Sequence, residues 1–259
     1  MPDLSIIIVS FNARADLDRC LESLHAAPPA VTHEILVVDN GSTDGSADAA
    51  RRWPRVQAIE AGGNLGFARA NNIGIRASSG AAILLLNSDT IVPPGAIDRL
   101  IAELDRHPEA AVVGPRLVDG SGRAELSFGR MISPWNELRQ KRLGRRAAAV
   151  EALTRHAHYP DWVSGACLLV RRAEVEAVGG LDERYFMYTE DVDFCAAIRA
   201  RGRKILFVPG VEVMHLRGRS AASAPAATRE HYRRSQLAFY EKHLPMWAPL
   251  LKLYVRIFS

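Results

Sequence analysis

Strand and helix patterns alternate through the first 106 residues of the chain. Short runs of aliphatic and β-branched residues predict buried strands at 4–9, 34–38, 56–60 and 81–86. Apolar residues at helical spacing predict helices at 15–24, 46–53, 67–77 and 94–106. Because strands that alternate with helices form βαβ units, this pattern predicts a mostly parallel sheet with helices on its faces.

The second half of the chain is less regular. Strands are predicted at 111–113, 117–118, 162–170, 204–208 and 211–214, and helices at 173–178, 191–201 and, apart from two prolines, 230–259. Residues 217–228 are small, polar and basic, which predicts a flexible loop. The basic stretch 131–150 predicts a solvated helix or mobile loop, or else a surface for an anionic partner.

The composition provides for a full hydrophobic core. The chain has 259 residues, 48% of them hydrophobic, which suits one large α/β domain or a domain with an appendage. The formal charge of +4 is mild and gives no reason to expect a nucleic-acid partner. Cys20, Cys167 and Cys195 lack a zinc spacing, so we expect buried free thiols in a reducing, cytoplasmic setting. We expect neither a signal peptide nor a membrane span.

Polar side chains follow three of the predicted strands. Phe11 and Asn12 follow the first strand, Asp39 and Asn40 end the second, and 87–89 follow the fourth. Ligands of such sheets bind beyond the carboxyl ends of the strands, so we expect one shared site there. A carboxylate at Asp39 could accept a hydrogen bond from a base N–H or a ribose hydroxyl, and the adjoining glycine turn lets backbone approach a ligand.

Amide and guanidinium groups gather on the next loop and helix. Asn64 lies in a glycine-rich loop, and Arg69, Asn71 and Asn72 follow at the start of a helix. Arg69 could bind a phosphate through two parallel hydrogen bonds. The asparagines could instead satisfy buried backbone groups, and the sequence leaves this alternative open.

Two separated segments carry possible metal ligands. Asn87, Ser88 and Asp89 form a turn after an apolar strand, where a carboxylate can hold a hard divalent cation; the same residues also suit an ordinary Asx-turn followed by a helix cap. His215 ends a later strand, and imidazole is a common metal ligand. A single histidine is more often structural, so a metal role for His215 depends on its register with Asp89.

Three carboxylates lie within four residues at Glu190, Asp191 and Asp193, between aromatic and apolar neighbours. Repulsion between like charges and an apolar setting both raise the pKa of a carboxylate towards the range of a general base. The alternative is an acidic helix start, where carboxylates meet unpaired backbone N–H groups. One helix could serve both purposes.

These segments together resemble the family 2 glycosyltransferases with the GT-A fold. The resemblance rests on SIIIVSFN at 5–12, VVDNGSTD at 37–44, NLGFARANNIG at 64–74, LLLNSDT at 84–90, WVSGAC at 162–167, GGLDE at 179–183, FMYTEDVDF at 186–194 and VMH at 213–215. It covers about residues 3–245. The spacing is most similar to rhamnosyltransferase-like members that build bacterial cell-surface polysaccharide.

The resemblance implies a role for each matching residue. Nucleotide-sugar binding falls to Phe11, Asn12, Asp39, Asn40, Asn64, Arg69, Asn72, Asn87 and Ser88. Asp89 and His215 would be ligands of Mg²⁺ or Mn²⁺, although Asn87 stands where the family often has a first aspartate. Asp191 would be the catalytic base, and Glu190 would support it. Trp162, Gly165 and Asp193 would contact the acceptor.

The resemblance also implies a fold and an activity. We expect a Rossmann-like, mostly parallel mixed sheet flanked by helices, in a catalytic domain at 1–228 with a helical tail at 229–259. Residues 1–115 would bind the nucleotide sugar and residues 116–228 the acceptor. The enzyme would invert the anomeric centre while moving a sugar, with rhamnose as the candidate, from a UDP- or dTDP-sugar to a hydroxyl of a saccharide or polyprenyl-diphosphate-linked acceptor. The loop at 217–228 would close over the diphosphate.

Two alternative functions agree less well with the sequence. A nucleotidyltransferase needs a glycine-rich loop after the first strand, and 10–14 contain no glycine. A non-catalytic nucleotide-sugar-binding protein would not need Asp89, Asp191 and His215 together. The aromatic and basic tail at 245–258 suits a helix at an anionic membrane surface, or else a helix packed on the domain or in a homodimer contact.

Overall fold

A computed structural model of the protein describes residues 1–216 and 225–257. The first half has the predicted alternation of strands and helices. Its strands are β1 (Leu4–Ser10), β2 (His33–Asp39), β3 (Val56–Glu60), β4 (Ala82–Asn87) and the short β5 (Thr90–Ile91). Its helices are α1 (Arg14–Ala26), α2 (Ser46–Arg52), α3 (Phe67–Ala77) and α4 (Ala96–Arg106). The predicted positions are therefore confirmed here, and those of β3 and α3 agree at both ends.

The elements of the second half differ more from the predicted bounds than those of the first half do. Its strands are β6 (Ala110–Val118), β7 (Phe128–Gly129), β8 (Trp162–Val163), β9 (Cys167–Arg171) and β10 (Lys204–His215). Its helices are α5 (Pro134–Gly144), α6 (Ala147–Leu153), α7 (Arg172–Val178), α8 (Glu190–Ala200), α9 (Pro225–His243) and α10 (Ala248–Ile257). Most of the predicted flexible loop, 217–224, lies outside the described residues, and 225–228 belong to α9.

The prediction of two strands on either side of Gly114-Pro115 was wrong, and so was that of two strands around Pro209-Gly210. β6 and β10 are each continuous and pair in parallel, with the register shifting between Val208 and Glu212. Residues 209–211 bulge out opposite the step from Pro115 to Arg116. A proline or glycine is tolerated where a bulge absorbs the mismatch, so the strands continue past residues that usually end them.

The strands form a mostly parallel mixed sheet of eight, in the order β3-β2-β1-β4-β9-β6-β10-β5. β9 runs antiparallel between β4 and β6, and β5 pairs antiparallel with the end of β10. A separate antiparallel pair joins β7 to β8. This is the sheet expected from the resemblance.

Both faces of the sheet are buried. Along β1, Ile6 and Ile8 pack in a cluster with α1 and α4, whereas Ile7 and Val9 pack in a second cluster with α3 and α8. This follows from the two-residue period of a strand, which sends alternate side chains to opposite faces. Each fully buried aliphatic side chain contributes about 1.5–3 kcal/mol through removal from water.

A third cluster joins α9 and α10 to the domain through Tyr185, Val192, Phe239, Tyr240 and Ala248. Asp193 adds polar contacts beneath it. Its carboxylate accepts hydrogen bonds from Tyr185 Oη (3.1 Å) and Lys242 Nζ (2.8 Å), and lies 2.6 Å from His243 Nε2. The tail helices are thus packed against α8, while the division of the chain at residue 228 stays a prediction.

Candidate active site

The carboxyl ends of β1, β2 and β4 meet at one edge of the sheet. Ser10 is in register with Asp39, and Val9 with Asn87. The polar residues that follow these three strands are therefore neighbours, as the sequence predicted.

Asn12 holds the turn that follows β2. It has a positive φ of 48°, its N–H donates to Ser42 Oγ (2.9 Å), and its Oδ1 accepts from the N–H of Thr43 (2.8 Å). Asparagine tolerates this left-handed conformation better than most residues. Phe11 lies beside it with 38% of its surface exposed, available to a ligand at this edge.

Asp39 carries an acceptor atom that no described residue satisfies. Its Oδ2 accepts from the N–H of Ser42 at 3.0 Å, but its buried Oδ1 has no hydrogen-bond partner within the described part of the chain. Only 4% of Asp39 is exposed. A buried oxygen without a donor is costly, so this atom is suited to a ligand that brings an N–H or O–H group.

Asn40 and Asn64 shape the loop beside Asp39. Asn40 Nδ2 donates to Asn64 Oδ1 (3.1 Å), and Asn40 Oδ1 accepts from the N–H of Leu65 (2.9 Å). Gly41 has a φ of +84°, and a Cβ there would lie 2.6 Å from the carbonyl carbon of Gly63. The amides therefore hold two backbone segments close together at the site.

Arg69 and Asn72 connect α3 to a later segment. Arg69 Nε donates to Glu183 Oε2 (2.8 Å), and Asn72 exchanges hydrogen bonds with the backbone of Leu181 (2.8 and 2.9 Å). The structure thus assigns both side chains a bracing contact, which for Asn72 matches the alternative of satisfied backbone groups. Their contact with a nucleotide or phosphate stays a prediction.

The second candidate metal ligand, His215, lies beside the first. Pairing of β10 with β5 puts His215 opposite Thr90, and His215 Nε2 lies 3.2 Å from Asp89 Oδ1 and 3.3 Å from Asn87 Nδ2. Asn87 Oδ1 is buried without a partner among the residues described, and Ser88 lies half-buried between the two. Imidazole, carboxylate and amide oxygen are thereby gathered in one place.

Glu125 contacts the other ring nitrogen of His215, at 3.4 Å from Nδ1, and the sequence reasoning missed it. Burial lowers the pKa of His215, but hydrogen bonds to Asp89 and Glu125 outweigh burial and raise it. Within residues 1–216 and 225–257, no three histidine, cysteine or acidic side chains are arranged as a metal-binding group. Glu125 is an isolated acid 90 residues from His215, so no local pattern signalled it.

Asp191 lies at the first turn of α8, next to the start of β9. Its Oδ2 accepts from the N–H of Gly165 (2.9 Å), and its Oδ1 accepts from the N–H of Val192 (2.8 Å). A Cβ at position 165 would lie 3.3 Å from Asp191 Cβ, so glycine permits this approach. The adjacent Ala166 carbonyl accepts from the N–H of Asn87 (2.9 Å), which joins the candidate base to the candidate metal segment.

Glu190 is a buried acid beside Asp191. It is 6% exposed, and its Oε2 has no partner in the part of the chain that the structure describes. Burial, and then the charge of Asp191, raises the pKa of Glu190 well above its usual value. The two preceding residues, Tyr188 and Thr189, have positive φ angles of 71° and 63°, a strained backbone of the kind that clusters at functional sites.

The three acids of this segment have different surroundings. Asp191 and Asp193 are two residues apart on a helix and so point about 200° apart around its axis. Asp193 faces the tail helices, and Trp162 Nε1 donates to the Arg130 carbonyl (3.0 Å). The predicted acceptor contacts of Trp162, Gly165 and Asp193 stay predictions, although Gly165 already binds the candidate base.

Comparison with known proteins shows the family of the chain. Residues 5–159 match the family model described as "Glycosyl transferase family 2". The chain is 33% identical over 279 residues to an N-acetylglucosaminyl-diphospho-decaprenol L-rhamnosyltransferase of Mycobacterium tuberculosis, covering 95% of this chain and 87% of that protein. The chain belongs to glycosyl transferase family 2. This family 2 enzyme is also 28% identical over 225 residues to the low-salt glycan biosynthesis hexosyltransferase Agl10 of Haloferax volcanii, covering 83% of this chain and 67% of that one.

Solved structures show the fold of this family 2 enzyme. A mannosyltransferase of Pyrobaculum calidifontis, in complex with GDP-Man and Mn²⁺, superposes with a TM-score of 0.66 at 18% identity, covering 97% of this chain and 68% of that one. GalNAc-T7 with UDP, GalNAc and Mn²⁺ gives 0.62 at 18% identity, covering 83% and 44%. The fold is the GT-A fold, and family membership argues against the nucleotidyltransferase alternative.

Proposed function

We propose that this family 2 glycosyltransferase moves a sugar from a UDP- or dTDP-sugar to a hydroxyl of a polyprenyl-diphosphate-linked saccharide, with inversion, in cell-surface polysaccharide synthesis. Rhamnose is the candidate sugar, because the M. tuberculosis relative named above is a rhamnosyltransferase acting on a diphospho-decaprenol acceptor. The observation that carries the proposal is a pair of hydrogen bonds, made by two neighbouring residues, that bring the candidate base close to the candidate metal segment. Gly165 binds the Asp191 carboxylate, and Ala166 binds the backbone of Asn87.

Asp191 acts as the general base. Its carboxylate takes the proton of the acceptor hydroxyl while that oxygen attacks the anomeric carbon from the face opposite the departing diphosphate. A single displacement of this kind inverts the anomeric centre. A neutral Glu190 spares Asp191 the repulsion of a second charge, since burial favours the protonated form of Glu190.

Asp39 and the metal segment serve the donor. Asp39 Oδ1, which has no partner among the described residues, accepts from the base or ribose, and Asp89 and His215 would hold Mg²⁺ or Mn²⁺. The residues fit such an ion, because the buried Oδ1 of Asn87 lacks a partner among the described residues, and a carboxylate lies close to an imidazole. A bound ion would neutralise charge on the diphosphate leaving group.

Asp191→Asn tests the assignment of the base. Transfer should fall by about 10²–10⁴-fold, the usual contribution of a general base, while binding of the nucleotide stays within experimental error of the parent enzyme. Glu190→Gln is the matched control, and it should retain most transfer because burial, which raises the pKa of Glu190, favours the uncharged form that glutamine imitates. For both variants, initial rates measure transfer and calorimetry measures the affinity for the nucleotide. Equal losses of rate and nucleotide binding in Asp191→Asn would exclude the base role.

The enzyme works at the inner face of the cell membrane as a peripheral protein. In the described parts of the chain, no helix is both long and apolar enough to cross a bilayer. α10 nevertheless exposes Leu250, Leu253 and Tyr254, each by more than half, next to Lys252 and Arg256. An apolar face with basic neighbours suits the interface of an anionic bilayer.

Liposome flotation tests the membrane contact. The double substitution Leu250→Glu/Leu253→Glu should release the protein from anionic vesicles, because it removes apolar contact and adds repulsion. The double substitution Ala147→Glu/Ala148→Glu, at exposed positions of α6, adds the same charge elsewhere and serves as the control. Flotation that is unchanged in the α10 variant would contradict the proposal.

A further inference from the structure

Helix α5 has an unusual orientation for a helix of a globular domain. It contains no buried residue, and it exposes Trp135 by 73% and Leu138 by 43%. The contacts with the rest of the domain are polar: Gln140 Nε2 donates to the Phe128 carbonyl (2.8 Å), and Glu137 accepts from Gln236 and Tyr240 of α9. A helix normally packs its apolar stripe on the core, so the reversed arrangement indicates a surface that binds something.

One stripe of α5 lines a cleft of about 580 Å³. Its lining residues are Trp135, Leu138, Arg139, Arg142, Leu143 and Arg146. The positions from Trp135 to Leu143 are spaced as i, i+3, i+4, i+7 and i+8, which is a single face of α5, and Arg146 lies beyond its end at the N-terminal cap of α6. Three apolar side chains and three guanidinium groups therefore share one concave surface.

The three arginines of this cleft have no carboxylate partner within the described ranges. Some other guanidinium groups of the domain are paired: Arg116 binds Glu151 and Glu212, and Arg203 binds Glu174. Arginine matches the geometry of phosphate oxygens and binds them through parallel hydrogen bonds. Converging unpaired guanidiniums beside apolar side chains suit a ligand that has a diphosphate attached to a hydrocarbon chain.

Helix α5 is connected to the candidate active site through two short strands. Gln140 of α5 binds the Phe128 carbonyl in β7, and Phe128 pairs with Val163 in β8. Two residues later, the N–H of Gly165 holds Asp191, a span of about 7 Å of extended chain. Helix α5 is thereby joined through β7 and β8 to the segment that contacts the candidate base.

We propose that the cleft on α5 binds the diphosphate and the first isoprene units of the polyprenyl-linked acceptor. Arg139, Arg142 and Arg146 bind the phosphate oxygens, and Trp135, Leu138 and Leu143 contact the hydrocarbon. This inference rests on the proposed function for its acceptor. It goes further by locating where that acceptor is recognised, away from the donor.

Calorimetry on the full chain with farnesyl diphosphate tests the cleft directly. Arg139→Gln/Arg142→Gln should weaken binding by about tenfold or more, because hydrogen bonds between two charged groups are roughly twice as strong as neutral ones. Lys141→Gln/Arg145→Gln removes the same charge from the same helix but lies off the stripe, and it should leave binding unchanged. Inorganic pyrophosphate and farnesol should each bind more weakly than farnesyl diphosphate, since each offers half of the ligand.

Steady-state kinetics separates this inference from the proposed function. The cleft double variant should raise the KM for a polyprenyl-diphosphate-linked saccharide and leave the KM for the nucleotide sugar unchanged. Equal effects of the two double variants would overturn the inference in favour of general attraction to an anionic membrane, and farnesyl diphosphate binding no tighter than pyrophosphate would also overturn it. A parent enzyme that transfers to no lipid-linked acceptor would instead refute the proposed function.

Discussion

The edge of the sheet proposed to bind the donor (the donor edge) and the region of α5 and α8 proposed to bind the acceptor (the acceptor side) differ in how their polar groups are satisfied. At the donor edge, Asn12, Asn40 and Asn64 bind neighbouring turns, and Asp39 Oδ1 is left for a ligand. On the acceptor side, Glu190 is buried without a partner for its Oε2 among the described residues, and α5 presents its apolar stripe to solvent. At the donor edge most of these polar groups are therefore satisfied within the protein. The acceptor side leaves more polar and apolar surface unsatisfied by protein contacts.

The largest expected effect concerns the contact between these two regions. Gly66 has a φ of +87°, and a Cβ there would lie 2.4 Å from the carbonyl oxygen of Phe186, which accepts from the N–H of Phe67. Gly66→Ala should lower the free energy of unfolding by about 3 kcal/mol or more, since backbone strain adds to a clash that neither backbone can relieve.

Gly62→Ala is the matched control for Gly66→Ala. Gly62 has a similar φ of +79°, but a Cβ there would meet nothing within 4 Å. Gly62→Ala should therefore lower the free energy of unfolding by only about 1–2 kcal/mol, which is the conformational cost of a positive φ for alanine. Urea unfolding of both variants measures the difference, and equal losses would show that the two regions do not depend on this contact.

A smaller effect is expected at the unsatisfied oxygen of the donor edge. Asp39→Asn keeps an acceptor for the Ser42 N–H but removes the charge, so affinity for the nucleotide sugar should fall by about tenfold, the loss of one charge-assisted hydrogen bond. Thermal shift with UDP- and dTDP-sugars and Mn²⁺ measures this and also identifies the donor. A variant that binds donors as tightly as the parent would show that Oδ1 does not contact them.

The smallest effect is a pH dependence at Glu190. Because its pKa is raised in the folded state, folding is favoured most below the ordinary value of 4.5, and this stability is lost as the pH rises towards the folded-state pKa. Glu190→Gln removes the titration. Its free energy of unfolding, relative to the parent, should therefore be lowest near pH 4 and increase as the pH is raised. A difference that does not vary with pH would indicate that Glu190 is not a buried, protonated acid.

Local patterns predicted the donor edge well and the acceptor side less completely. β3 and α3 could be bounded because their periodicity and flanking turns lie within a few residues. The contact of Glu125 with His215 could not be predicted, and neither could the contacts of Asp193 with Lys242 and His243. Only tertiary packing brings these partners together. The exposed stripe of α5 was also hidden, because a helical period does not reveal which face meets the core.

The carbonyl of Phe186 leaves no room for a side chain at position 66. Substitutions at position 66 and changes in the backbone path at position 186 therefore depend on each other. A descendant that replaces the glycine must first reroute the segment before Glu190, and one that reroutes this segment frees position 66 to vary. Sequence change in the loop before α3 and in the segment before α8 can therefore proceed in this lineage only if this contact is kept.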